Sequence, residues 1–141
     1  MPWYEYSPSS GSSKPFVEVR LWHGAKSVRL IALVDSGADA SLLNIQYGDL
    51  LDLDKGAAQS VPSIVASGEE IATYRWPGLL LELQFEQERF PFEGSFVDFG
   101  AGDGENLVGR RDFFQRFVIQ FWDTAELMNI DLSPDYPRSV P

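Results

Sequence analysis

Residues 31–43 read IALVDSGADASLL, and this stretch decides how the chain is expected to fold. An apolar run ends at Asp35, and Ser36 and Gly37 follow at once. A carboxylate at the end of an apolar strand is costly to bury unless it is paired or used. Gly37 lets the backbone turn sharply, and the Ser36 hydroxyl can reach nearby backbone amides. On these three residues alone, an ordinary turn between two strands is the simpler interpretation.

Period-two alternation of apolar residues predicts strands on both sides of this stretch. Residues 16–22 and 27–34 form a predicted hairpin that leads directly into Asp35. The clearest alternation is in residues 79–86, where one face carries Leu79, Leu81, Leu83 and Phe85. The other predicted elements are a strand and a helical turn in 40–53, a hairpin in 61–75 around residues 66–69, a strand at 90–97, a short helix at 110–116 and a hairpin at 117–132. This pattern predicts a mainly-β barrel or sandwich.

The 141 residues are expected to hold one domain, at residues 15–132. Residues 1–14 end in a run of serine and glycine and are expected to be a flexible N-terminal segment. Residues 133–141 contain three prolines and are expected to be a C-terminal tail.

Composition excludes several classes of function. The net charge of −10 argues against nucleic-acid binding, which needs a basic surface. Cysteine is absent and histidine occurs once, so thiolate metal sites and a Cys nucleophile are excluded, and no metal or cofactor is expected. No signal peptide and no apolar run of membrane-spanning length is present, so we expect a cytoplasmic protein without a membrane partner.

Three segments in this order resemble the retropepsin-like aspartic proteases, and the cellular and bacterial members more than the viral ones. The first is the DSGAD of residues 35–39. The second is the predicted hairpin at residues 64–74, where the family carries its flap. The third is NLVGRRDFFQRF at residues 106–117, in which two apolar residues, Gly and Arg precede a short helix. The resemblance covers about residues 16–132 and implies a closed barrel of short strands with one or two short helices.

The resemblance implies a role for each residue of the first motif. Asp35 matches the catalytic aspartate. Ser36 matches the hydroxyl that links the two active-site loops across a dimer axis, and Gly37 and Ala38 match positions beside the substrate backbone. Asp39 matches a carboxylate that binds the substrate main chain.

The other two segments receive roles from the same resemblance. Substrate contacts are implied at the flap and at one position after it: Ile64, Val65, Ala66, Ser67, Gly68 and Val108. Structural support is implied for Leu107, Gly109 and Arg110. A structural ion pair between Asp39 and Arg110 is the other open interpretation of these two residues.

The implied reaction needs two carboxylates that share one proton, since two like charges at that distance cannot both ionise. One activates a water and the other polarises the scissile carbonyl, best at mildly acidic pH. Asp98 is the only rival for the second carboxylate, but Phe99 follows it where a hydroxyl is needed, and we expect Asp98 at a strand end. The chain is about half the length of a two-lobed enzyme, so a homodimer is expected to supply the second aspartate to a polypeptide substrate.

Two other interpretations remain open. The chain could be a binding or dimerisation module of the same fold with little or no catalysis, because a fold does not dictate a function. It could also be a mainly-β structural domain in which Asp-Ser-Gly is only a turn.

Overall fold

The computed structural model of the chain describes residues 3–9, 12–64, 67–85, 87–93, 96–100 and 104–134. These residues are mainly β, with two short helices, α1 (Ile45–Leu50) and α2 (Phe113–Arg116). The strands are β1 (Trp3–Glu5), β2 (Ser7–Ser9), β3 (Ser12–Lys14), β4 (Phe16–His23), β5 (Lys26–Val34), β6 (Leu42–Asn44), β7 (Gln59–Ile64), β8 (Glu70–Pro77), β9 (Leu80–Phe85), β10 (Glu88–Glu93), β11 (Phe96–Gly100), β12 (Asn106–Val108), β13 (Phe117–Trp122) and β14 (Leu127–Leu132). The predicted class, mainly β with one or two short helices, is confirmed.

The first long hairpin, β4–β5, forms because its apolar residues alternate and a two-residue turn joins its arms. Trp22 pairs with Ser27 and His23 with Lys26, so residues 24 and 25 are left to make the turn. Every second residue of each arm is buried: Val17, Val19 and Leu21 in β4, and Leu30, Ala32 and Val34 in β5. The predicted hairpin is confirmed, and it delivers Asp35 at the end of β5.

Nine strands form one sheet in the order β10-β9-β4-β5-β12-β6-β11-β8-β7. In the described residues, β10 and β7 are its two edges and do not pair with each other, so the predicted closed barrel is wrong. Pro62 lies in β7 and Pro91 in β10. Proline has no amide hydrogen to donate to a further strand, so both strands suit an edge position.

The single strand predicted at residues 90–97 is also wrong, because two strands divide this region. β10 pairs with β9 at one edge of the sheet. β11 lies near the other edge, parallel to β6 and antiparallel to β8. Gly94 and Ser95 separate them and lie outside the described residues. The alternating pattern identified extended residues correctly, but it carries no information on which strand each half joins.

A second sheet of three strands has the order β1-β14-β13. β13 and β14 form the predicted C-terminal hairpin, with Phe117 opposite Leu132 and Trp122 opposite Leu127. β1 comes from the segment expected to be flexible and pairs antiparallel with β14. The rings of Trp3 and Trp122 meet edge to face, with centroids 6.0 Å apart.

A cluster of phenylalanines joins the two sheets. Phe92 of β10 lies 5.9 Å from Phe113 of α2 and 5.5 Å from Phe117 of β13, between ring centroids. Phe113 and Phe117 are 4.9 Å apart, and all three are buried. Such aromatic contacts add to the stabilisation from burial alone. Across the described part of the chain, no helix is long and apolar enough to cross a membrane.

Candidate active site

The segment after β5 must pass over the end of another strand. β12 lies between β5 and β6 in the sheet, parallel to β5 and antiparallel to β6. Residues 35–41, which connect β5 to β6, therefore cross the end of β12. The Asp35 amide donates to the Val108 carbonyl (3.1 Å), so the loop stays attached to β12 where it begins.

Gly109 is the residue over which this loop passes. A Cβ atom at Gly109 would lie 2.7 Å from the carbonyl oxygens of Ala38 and Ala40. No side chain fits at that separation. The two residues after Gly109 hold the loop from the same side, since the Arg110 amide donates to Ala38 (2.9 Å) and the Arg111 amide to Asp39 (3.0 Å). Glycine at this position is thus a packing requirement of the crossing.

A buried polar network fixes the far end of the loop. The Ser41 hydroxyl donates to Oδ1 of Asp112 (2.7 Å) and accepts from the Gly109 amide (3.1 Å). Asp112 also caps α2 by accepting from the Phe113 amide (2.8 Å). Burial raises the pKa of Asp112 to about 6, while the Ser41 hydroxyl and the Phe113 amide oppose this rise. Its Oδ2 atom is buried without a hydrogen-bond partner in the described structure, in agreement with that direction.

Asp35 lies at the open side of this scaffold. Its Oδ1 accepts from the Gly37 amide (2.8 Å), and the Ala38 amide donates to its carbonyl (3.2 Å), so the turn after β5 orients the carboxylate. Ser36 is exposed, and its hydroxyl forms no hydrogen bond with any described residue. A backbone-oriented carboxylate beside an exposed hydroxyl can act on a molecule that enters from solvent.

Asp35 faces a cleft of about 680 Å³. The loop contributes Gly37, Ala38, Asp39 and Ala40 to the lining of the cleft. The rest of the lining comes from β6, β7, β8, β11, β12 and the turn before α2: Leu42, Pro62, Ser63, Ile64, Arg75, Phe96, Asp98, Leu107 and Arg111. This volume lies in the range of sites that bind small molecules or short peptide segments.

Two of the three carboxylates that line the cleft are ion-paired. Asp98 receives hydrogen bonds from Nε (2.9 Å) and Nη2 (3.1 Å) of Arg75, in a two-pronged pair. Asp39 pairs with Arg110, as one of the open interpretations expected. Asp35 has no cation within ion-pair distance in the described part of the chain. It is therefore the cleft carboxylate left available for chemistry.

The predicted flap is a hairpin made by β7 and β8, with Ile64 opposite Glu70. Gly68 turns with φ +84°, a conformation that favours glycine, and the Ser67 hydroxyl accepts weakly from the Glu69 amide (3.4 Å). Ile64 is 76% exposed and lines the same cleft as Asp35. Val65 and Ala66, also predicted to touch substrate, lie outside the described residues.

Two neighbouring residues of β12 have exchanged the environments that were expected for them. Val108, predicted to contact substrate, is fully buried, and Leu107, predicted to give structural support, lines the cleft. The reason is the alternation of β12 in the middle of the sheet, which turns successive side chains to opposite faces.

Sequence reasoning missed a charged and aromatic part of the cleft. Asp98 lies in the middle of β11, not at a strand end, and Arg75 faces it from β8 because the two residues are partners in the sheet register. The ring of Phe96 lies beneath the guanidinium groups of Arg75 (3.8 Å) and Arg111 (5.3 Å). One signal was present: a carboxylate inside the apolar run of residues 96–99 requires a nearby cation.

Among the described residues, no group of three or more His, Cys, Asp or Glu side chains is arranged to hold a metal ion. The candidate site therefore consists of Asp35 and the cleft that it faces. Comparison of the sequence with models of protein families and with curated proteins gives no match.

Proposed function

We propose that the chain is one subunit of a homodimeric, retropepsin-like aspartic endopeptidase, with Asp35 as its catalytic carboxylate. The observation that carries this proposal is the state of the three cleft carboxylates. Asp39 and Asp98 are each paired with an arginine, whereas Asp35 is held by a backbone amide alone. Asp35 follows the last residue of β5, is half-buried and lines the cleft, so its carboxylate is within reach of a molecule bound there.

The homodimer follows from the chemistry. An aspartic peptidase needs one carboxylate as a base and a second, protonated one as an acid. The described residues supply one unpaired carboxylate to the cleft, so the second has to come from another chain. The exposed Ser36 hydroxyl beside Asp35 is available for a hydrogen bond to that chain. A two-fold axis near Asp35 would bring the same groups together from both subunits.

The cleft suits an extended peptide. The β7–β8 hairpin forms one wall and presents Ile64, and Leu42 and Leu107 add apolar surface. β7 is an edge strand, and its outward backbone groups, apart from the missing amide hydrogen of Pro62, can pair with a peptide strand. Bound in this way, the peptide would pass between the hairpin and Asp35, with its scissile carbonyl at the two carboxylates.

The proposal is tested by cleavage of a peptide library between about pH 4 and pH 7, by the wild type and by Asp35→Asn. We expect cleavage by the wild type at mildly acidic pH and none by the variant. Asp49→Asn removes an exposed carboxylate on α1, outside the cleft, and is expected to cleave as the wild type does. Cleavage that survives Asp35→Asn would overturn the mechanism. A stable dimer that cleaves no peptide would favour a binding module.

A further inference from the structure

Arg111 is the one cation in the cleft lining without a carboxylate partner among the described residues. Arg75, the other arginine of the lining, is neutralised by Asp98. Arg110, next in the chain, is neutralised by Asp39. Arg111 lines the cleft, and its side chain is exposed.

This unpaired arginine stands out because the protein is strongly acidic. The chain has 21 Asp and Glu residues against 11 Lys and Arg, so acidic partners are plentiful. Arg111 nevertheless contacts an aromatic ring: its guanidinium carbon lies 5.3 Å from the centroid of Phe96. Stacking on an aromatic face leaves the edge of the guanidinium free to donate hydrogen bonds.

The position of Arg111 is fixed by its backbone. Its amide donates to the Asp39 carbonyl (3.0 Å), which attaches it to the loop that carries Asp35. The guanidinium of Arg75, from β8, also lies over the Phe96 ring, with its carbon 3.8 Å from the ring centroid. The backbone bond to the Asp35 loop and the ring contact with β11 restrict where the cation can lie in the cleft, which reduces the ordering cost of binding.

We infer that Phe96 and Arg111 form a specificity subsite for the carboxylate of an Asp or Glu side chain in the bound peptide. The inference rests on the proposed function, since it assigns the substrate class of that same cleft. A planar guanidinium fits a carboxylate through two parallel hydrogen bonds, a geometry that a lysine ammonium does not reproduce.

The other negative charges nearby leave this subsite intact. Glu69 and Glu70, at the turn of the β7–β8 hairpin, are exposed and are not part of the cleft lining. Asp39 and Asp98 are balanced by their own arginines. Asp35 remains, and in the proposed dimer it shares one proton with its counterpart, so the pair carries a single negative charge.

The test uses peptides with acetylated and amidated ends that differ only at one position, which carries Glu, Gln or Lys and is moved along the peptide. When the varied residue occupies one particular position relative to the cleaved bond, we expect kcat/KM to be about 5-fold higher for Glu than for Gln. This ratio corresponds to the energy of a partly exposed charge-assisted hydrogen bond. The preference should weaken in high salt. It should also disappear below about pH 4, where the Glu carboxyl becomes protonated.

Three variants locate the preference. Arg111→Gln should abolish it, and Arg111→Glu should reverse it in favour of Lys. Arg89→Gln removes the same charge from an exposed position on β10, outside the cleft, and should keep it. Equal Glu and Gln cleavage by the wild type, or a Glu preference that survives in Arg111→Gln, would overturn the inference. A matched Gln peptide with an unblocked C-terminus serves as a further substrate, and a preference for it over the blocked Glu peptide would overturn the assignment to a side chain.

A second measurement separates this inference from the proposed function. Binding of the same peptides to Asp35→Asn, measured by calorimetry, requires no hydrolysis. Tighter binding of the Glu peptide that is lost when Arg111→Gln is added supports the subsite, even if the wild type cleaves nothing. Cleavage by the wild type without any Glu preference in binding or turnover would leave the peptidase standing and refute the subsite.

Discussion

Asp112 carries a carboxylate into the interior directly beneath the candidate active-site loop. Its Oδ1 accepts from Ser41 and Phe113, and its Oδ2 has no partner among the described residues. Burial is the main reason why its pKa is raised, and the negative charge of Asp98 adds to the effect. The stabilisation that Asp112 gives to the folded chain should therefore depend on pH.

The direction of this response follows from proton linkage. The pKa of Asp112 is about 6 in the folded chain and about 3.8 when it is exposed, so between these values the folded state binds more protons. The stabilisation from Asp112 is complete below about pH 3.8 and is lost as pH rises through 6. The loss amounts to about 3 kcal/mol.

Asp112→Asn should remove this slope, because asparagine keeps the acceptor for Ser41 but does not titrate. Urea unfolding of the wild type and the variant, measured from about pH 4 to pH 8, gives the difference in free energy of unfolding at each pH. We expect the free energy of unfolding of the variant to increase relative to that of the wild type as pH rises. Parallel curves for the two proteins would contradict the prediction.

Gly109 gives a second prediction at this scale. Gly109→Ala places a Cβ atom 2.7 Å from two backbone carbonyl oxygens, and neither the loop nor β12 can move far without breaking hydrogen bonds. We expect a loss of about 3 kcal/mol or more in the free energy of unfolding, at the upper end for overpacked sites. Gly104→Ala is the control, since nothing lies within 4 Å of a Cβ there, and it should unfold as the wild type does. A Gly109→Ala variant as stable as this control would refute the close crossing.

Single residues of the site were predictable to different degrees. Asp35 and Gly109 belong to short motifs whose residue types indicate the local geometry. Asp35 is an acid at the end of a strand, and Gly109 is a glycine where two chain segments cross. Arg111 and Asp112 were not predicted as functional, because their roles depend on which strands lie beside the turn that precedes α2. Those neighbours, Ser41 and Phe96, come from distant parts of the sequence.

At the scale of elements, β8 and β11 are joined by the ion pair between Arg75 and Asp98. Asp98 is 5% exposed, so its charge needs this cation. Arg75 is partly exposed, which reduces the stabilisation that the ion pair contributes. We expect Arg75→Met to lower the free energy of unfolding by about 2 kcal/mol.

Three further variants check this expectation by denaturant unfolding. Arg89→Met removes an exposed arginine from β10 and should change stability little. The double variant Arg75→Met with Asp98→Leu should be more stable than Arg75→Met alone, because no buried carboxylate is left without its cation. The single variant Asp98→Leu completes the cycle. If the loss in the double variant equals the sum of the two single losses, the pair contributes nothing to the join between the strands.

Elements that depend on local residues were predicted well. The β4–β5, β7–β8 and β13–β14 hairpins each follow from alternation interrupted by a short turn. The partners of β11 were not predicted, because its pairing with β6 and β8 joins residues far apart in sequence. The open edges at β7 and β10 were missed for the same reason, although Pro62 and Pro91 hinted at them.

At the scale of the whole molecule, the proposed active site exists only when two chains meet. Mixing the wild type with Asp35→Asn should then produce heterodimers with a single catalytic aspartate and no activity. With about a three-fold excess of the variant, random pairing leaves about a quarter of the wild-type chains in wild-type dimers. Peptide cleavage per wild-type chain should fall to the same fraction. Activity that stays constant at every ratio would show that one chain is sufficient.

The two ends of the described chain meet in the three-stranded sheet, where β1 lies against β14. Trp3 of β1 and Trp122 of β13 place their indole rings 6.0 Å apart at an interplanar angle of 70°. Two indoles this close and this far from parallel couple their electronic transitions. The coupling gives a paired positive and negative band in circular dichroism that a lone tryptophan does not produce. Loss of that band on heating would report the moment when the first strand leaves the sheet, with no label attached.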